Sequence, residues 1–244
     1  MGDLRRLLIV VINMEVYVGT SGWMYGWNEG GSLDWYVSNS GLNAIELNAS
    51  FYRFPFPNAI KSWSVKGGGL RWAIKVSRLV THVFKFNERA LSAWGRFENL
   101  FRPMDHLIDF YLFQLPPSTR TSHIPRIEKF VDAVNLGRRF ALEPRNLTWF
   151  NDDSVVKWAS AHGITLVSVD CPDLPLKIFN TNGVVYVRMH GRTGWYSHRY
   201  LRVELKEVKD KILMAGPEKA YIFFNNNTNM LHNAQEMLSL FMEI

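Results

Sequence analysis

Along the chain, short runs of β-branched and aromatic residues alternate with stretches whose apolar positions recur every three or four residues. The first pattern predicts buried strands, the second helices with one covered face. Eight runs qualify as strands: residues 16–23, 44–48, 71–77, 110–116, 139–145, 165–170, 184–191 and 219–226. Between them, Ala90, Leu91, Trp94, Phe97 and Phe101 follow Asn87, a residue type suited to an N-cap, and Ile127, Phe130, Val131 and Val134 follow Pro125. Val155, Val156 and Ala159 lead to a stop at Gly163, Leu201, Leu205, Val208 and Ile212 form another stripe, and Met230, Leu231, Ala234, Met237, Leu238 and Phe241 the last. Shorter segments at 33–38 and 58–66 fill the first two gaps. "CPDLPLKIFNTNG", between the sixth and seventh strands, has two prolines and no helical period, which predicts a degenerate crossover.

Eight alternations of strand and helix predict an α/β chain folded as a (β/α)8 TIM barrel, a fold of about 250 residues. Residues 16–244 read as one barrel domain and residues 1–15 as an N-terminal extension. A doubly wound open sheet is the rival. It would carry a glycine-rich phosphate turn after the first strand, and "GTSGWMYGW" lacks the G-x-G-x-x-G spacing.

The first fourteen residues place two arginines before a short apolar run, too short and without the small-residue site of a signal peptide. No stretch approaches the roughly 20 apolar residues of a spanning helix, so no membrane partner and a cytoplasmic location are expected. Cys171 is the single cysteine, which excludes an intramolecular disulfide. A formal charge of +6 permits attraction to nucleic acid or phosphorylated ligands without choosing between them.

Strand parity sharpens the picture, because alternate side chains face opposite sides. Glu46 and Asn48 share a face, as do Lys75 and Ser77, Glu143 and Arg145, Ser168 and Asp170, and Arg188 and His190; Gln114 and Asn225 end their own strands. The other parity holds Ile45, Leu47, Ile74, Val76, Leu142, Val167, Val169, Val187 and Met189, expected under the helices. The polar set should then converge at the carboxyl ends of the strands, where barrel enzymes hold their chemistry.

In this order, "VGTSGWMYGW", "IELNASFYRFP", "WAIKVSRLVTH", "FQLPPS", "LEPRNLTW", "VRMHG" and "FNNN" resemble the signature segments of the domain-of-unknown-function 72 family, the YecE-like TIM barrels. The resemblance implies a TIM barrel with a polar pocket at the strand ends. It maps the family pattern onto Trp23, Glu46, Asn48, Tyr52, Lys75, His82, Gln114, Glu143, Arg145, Trp149, Asp170, Arg188, His190 and Asn225. It also implies kinship with endonuclease-IV-like and xylose-isomerase-like barrels, hence phosphodiester chemistry or DNA binding. The chain departs from the pattern at Asn146, where the family commonly has histidine.

The expected enzyme is a phosphodiester hydrolase acting on a phosphorylated or nucleic-acid-like ligand. Glu143 and Asp170, with His190 as a third candidate, hold a divalent metal or activate water. Lys75, Arg145 and Arg188 stabilise phosphate charge, while Trp23 and Tyr52 stack the substrate. His82 and His190 are candidate bases or ligands, and Asn48, Gln114, Trp149 and Asn225 complete the binding set. Trp27 and Trp195 join the aromatic group, and the remaining five histidines, His198 among them, are expected at the surface or in caps. Two alternatives stand beside this reading. One is a metal-free enzyme using Glu46 and Glu143 as acid and base on a carbohydrate or sugar phosphate. The other is a non-catalytic module for single-stranded nucleic acid.

Overall fold

The computed structural model describes residues 14–243; the expected extension falls mostly outside them. Eight parallel strands close into a barrel in sequence order. They are β1 (Glu15–Thr20), β2 (Ala44–Leu47), β3 (Arg71–Lys75), β4 (Ile108–Gln114), β5 (Phe140–Glu143), β6 (Thr165–Asp170), β7 (Val184–Met189) and β8 (Lys219–Phe224). Among the described residues seven α-helices surround them: α1 (Leu33–Asn39), α2 (Pro57–Lys66), α3 (Glu88–Phe101), α4 (Ile124–Val134), α5 (Ser154–Ala161), α6 (Arg202–Met214) and α7 (Met230–Met242). The barrel is therefore the expected (β/α)8 fold with the eighth helix missing between β6 and β7. No helix among the described residues is long and apolar enough to cross a membrane.

Local chemistry sets the helix ends. Asn87 Oδ1 accepts from the backbone N–H groups of Arg89 and Ala90 and opens α3, and Asn135, with φ of 47°, closes α4 in the left-handed conformation. All predicted strands but the sixth overrun the observed ends by one to three residues. The overrun residues are nearly in register: Val76, Leu115, His190 and Asn225 each donate one further backbone hydrogen bond to the adjacent strand. The chain stays extended just long enough to present polar side chains at the mouth.

The barrel interior is layered. Ala44, Ala73, Phe110, Leu112, Ala141, Val167, Tyr186 and Phe223 form its apolar middle. Below, Arg71 Nε and the Tyr221 hydroxyl both donate to Asp109 Oδ2, each at 2.8 Å, and plug the amino-terminal end. Gly19 lets β1 approach β2, since a Cβ there would lie 2.3 Å from the Ala44 carbonyl oxygen. Above the apolar layer come Glu46, Lys75, Glu143, Arg188 and His190.

One parity assignment fails. Val167 lies inside the barrel, so Ser168 and Asp170 face away from the interior. The cause is the missing helix: the irregular crossover needs acceptors for its buried backbone, and Ser168 Oγ accepts from the Phe179 N–H at 2.9 Å. Polarity on β6 serves that segment, not the barrel mouth.

Candidate active site

At the centre of the mouth stands Arg188, fully buried on β7. Its Nη2 and Nε donate to the two oxygens of Glu46, at 2.5 and 2.9 Å, and its Nη1 donates to Glu143 Oε2 at 2.7 Å. Glu46 is filled further by the Ser21 hydroxyl and the Tyr186 hydroxyl, both at 2.6 Å. Glu143 Oε1 also accepts from Arg145 Nε at 2.9 Å and lies 2.7 Å from Arg145 Nη2. Burial alone would push the Glu143 carboxyl up, but Arg145 and Arg188 outweigh it and hold the group well below the usual carboxylate range.

Burial, reinforced by Arg145 and Arg188, keeps His190 well below its ordinary value and neutral. Asn225 Nδ2 lies 3.3 Å from His190 Nδ1, and His190 Nε2 lies 3.0 Å from both Glu143 Oε1 and Arg145 Nη2, so the ring is clamped between a carboxylate, a guanidinium and an amide. Two carboxylates thus meet two guanidiniums, and the network is electrically closed.

Lys75 is left over. The residue is 6 % exposed, its Nζ sits 4.3 Å from the centre of the Phe51 ring, and it makes no ion pair or hydrogen bond among the described residues. Burial, then Arg188, lower its pKa from 10.5 to about 7, against the weaker pull of Glu143 and Glu46. The amine faces a cavity of about 520 Å³ lined by Trp23, Tyr25, Asn48, Tyr52, Tyr196 and Asn225 among others. A neighbouring hollow of about 500 Å³ shares Tyr196 and is lined by His82, Gln114, Arg145 and Asn146. Trp195 lies under the Arg145 guanidinium at 4.6 Å, and its Nε1 donates to Asp173 at 2.6 Å.

The backbone beside Lys75 is unusual. Leu79–Val83 forms a π-helical turn carrying His82, and Lys85 and Phe86 follow at φ of 47° and 62°. Such conformations cost energy and concentrate at functional sites. Burial, then Lys75, lower the His82 pKa to about 4.

Most expected site residues therefore meet at the mouth, and two do not. Asp170 is held by Arg192 Nε at 2.9 Å; Arg192 Nη1 in turn donates to Glu207 on α6 at 2.8 Å. This staple ties the β7 loop to α6 and leaves Asp170 apart from Glu143. Trp149 is wholly buried with its indole N–H on the Thr119 carbonyl at 2.9 Å, a packing residue rather than a stacking platform. His198, expected at the surface or in a cap, is 9 % exposed and bonded to Glu204, whose carboxylate accepts from the Leu201 N–H at the start of α6.

The proposed metal ligands do not form a donor set. Glu143 has both oxygens occupied, His190 Nε2 is wedged between Glu143 and Arg145, and Asp170 faces elsewhere. Among the described residues no group of three or more His, Cys, Asp or Glu is placed to hold a metal ion. Asn146, where the resemblance expects histidine, caps the turn at Leu147–Trp149 through the Thr148 N–H and donates to the Pro117 carbonyl at 2.8 Å.

Sequence reasoning missed Ser21, Tyr25, Tyr186 and Tyr196. Ser21 continues the inward parity of Tyr17 and Gly19, and Tyr186 shares that of Arg188, so both were accessible to the same test. Tyr25 and Tyr196 are delivered by loops, which parity cannot read.

Comparison with solved structures places the barrel among relatives. A DUF72 family protein from Enterococcus faecalis superposes with a TM-score of 0.79 at 19 % identity, covering 94 % of this chain and 98 % of its own. A DUF72 family protein from Thermotoga maritima gives 0.77 at 23 % identity, with 93 % and 99 % covered. D-psicose 3-epimerase from Clostridium cellulolyticum, solved with D-tagatose, gives 0.56 at 13 % identity, with 95 % and 99 % covered. Comparison with curated proteins finds no match. The family described as "Protein of unknown function DUF72" matches residues 17–243, nearly the whole chain, and the chain belongs to that family.

Proposed function

We propose that the mouth is the active site of an enzyme that acts on a small polar ligand of the sugar or sugar-phosphate class by proton transfer, using protein groups alone. The observation that carries this reading is Lys75: a buried amine whose pKa is lowered to about 7, so that a large share is neutral at pH 7, aimed into a cavity of substrate size and left without a counter-ion among the described residues by the closed Glu46–Arg188–Glu143–Arg145 network. Reactive groups are tuned toward the working pH in this way.

The roles first expected of Glu46 and Glu143 pass to Lys75. Every oxygen of the two carboxylates already accepts at least one hydrogen bond from a guanidinium or hydroxyl, so they position Arg188 and set the field of the site. Trp23, Tyr25 and Tyr52 offer ring faces to the apolar side of a sugar, and Asn48 and Asn225 offer amides to its hydroxyls. The likeness to D-psicose 3-epimerase supports the fold; its sugar enters here as a proposal. Phosphodiester hydrolysis through a metal on Glu143, Asp170 and His190 finds no support in this geometry.

The test is solvent-deuterium incorporation next to the carbonyl of pentoses, hexoses and their phosphates, followed by proton NMR in chelator-treated D2O. Exchange catalysed by the wild type and lost in Lys75→Met is the expected result. Exchange that survives in a folded Lys75→Met variant would overturn the assignment.

A further inference from the structure

We propose that the Lys75 amine is a nucleophile, condensing with the open-chain carbonyl of an aldose or ketose to give a protonated Schiff base. This rests on the reading of the mouth as a sugar-directed acid–base site and states how that site works.

Removing a proton next to a carbonyl requires somewhere for the electron pair to go. The cations that might polarise the oxygen, Arg188 and Arg145, are committed to Glu46 and Glu143. Among the described residues no group of three or more His, Cys, Asp or Glu is placed to hold a metal ion. An amine that adds to the carbonyl creates its own electron sink. Lys75 has what that needs: burial, no hydrogen bond holding its lone pair among the described residues, and an open cavity in front of it. Phe51 lies 4.3 Å away and offers its ring face to the developing charge. An iminium spreads that charge over nitrogen and carbon, so it suits a desolvated aromatic wall better than a compact, strongly hydrated ammonium does.

The step balances. The nitrogen lone pair attacks the carbonyl carbon, the C=O π pair moves to oxygen, and a proton shifts from nitrogen to oxygen to give a carbinolamine. The nitrogen then expels the hydroxyl, which leaves as water after taking one proton from solvent. One water is released, one proton is taken up, and no redox partner is needed.

The wild-type chain suffices for the test. Dihydroxyacetone and glycolaldehyde are added with sodium cyanoborohydride, which reduces an iminium to a stable secondary amine, and modified lysines are located by peptide mass mapping at pH 7. Lys75 is expected to be labelled at least tenfold faster than the exposed Lys61 and Lys85, with Lys75→Arg losing that label alone. Labelling of Lys75 no faster than that of the exposed lysines overturns the proposal. Deuterium exchange without trapping would leave Lys75 a simple base, so the reading stands and this inference falls. Trapping without exchange supports the covalent step and removes the proton-transfer reading.

Discussion

Glu46 and Glu143, on strands three apart around the barrel, are joined through a single guanidinium, for both bind the fully buried Arg188. Burying ions is costly unless each is paired, and a partner left behind is worse than a pair removed. Arg188→Met is therefore expected to destabilise the fold by about 3–5 kcal/mol in urea unfolding, because two carboxylates lose their shared cation. A smaller loss is expected when Glu46→Gln is added to Arg188→Met than in Arg188→Met alone. If the double variant is the less stable, Arg188 is not the electrostatic centre of the mouth.

Lys75 makes the opposite prediction. Its folded pKa, about 7, lies below its unfolded value of 10.5, so between those pH values the unfolded chain binds the extra proton. Stability contributed by this group rises with pH across the window, and the full cost of burying the amine is present below about pH 7. Lys75→Met should be more stable than wild type at pH 6.5, on the order of a few kcal/mol, and lose that advantage by pH 10.5. Urea midpoints at the two pH values check it; a midpoint difference that does not change with pH contradicts the assignment.

Acid should unfold the protein in two stages. His190 has a depressed folded pKa, so stability falls as pH drops below its unfolded value of 6.5 and the unfolded imidazole charges first. Glu143, also depressed, contributes stability that is present above 4.5 and lost as pH falls through its folded pKa. The His190→Asn variant should show a shallower first stage, with the part due to His82, whose folded pKa is also lowered, remaining, and should keep the second. Unfolding midpoints between pH 4 and 8 provide the measurement.

Two aromatic residues of the same expected set should separate cleanly. Tyr52 is 75 % exposed on the cavity rim, so Tyr52→Ala should weaken ligand binding severalfold and leave thermal stability nearly unchanged. Trp149→Phe strands the Thr119 carbonyl and should cost about 1–3 kcal/mol of stability, with ligand affinity retained once the protein is folded. Calorimetric binding of a trapped or slow sugar ligand, paired with thermal melts, distinguishes them.

Strand parity located Glu46, Lys75, Glu143, Arg188 and His190 before any contact was known, because an inward polar residue at the carboxyl end of a barrel strand has one place to go. The same test failed at Asp170, whose neighbour Ser168 faces the helix-less crossover and satisfies its backbone. It was silent on Tyr25 and Tyr196, which loops bring to the cavity.

Periodicity, caps and length thus determined the barrel and the missing helix, since those follow from local propensity and from which face of each element must be buried. Which charges pair was decided only in three dimensions. Coulomb energy and desolvation depend on distance and burial, and residues as far apart in sequence as Glu46, Glu143 and Arg188 acquire these only when the barrel closes. That closure pairs four of the charged groups at the mouth and leaves the fifth, the Lys75 amine, without an ion-pair partner among the described residues.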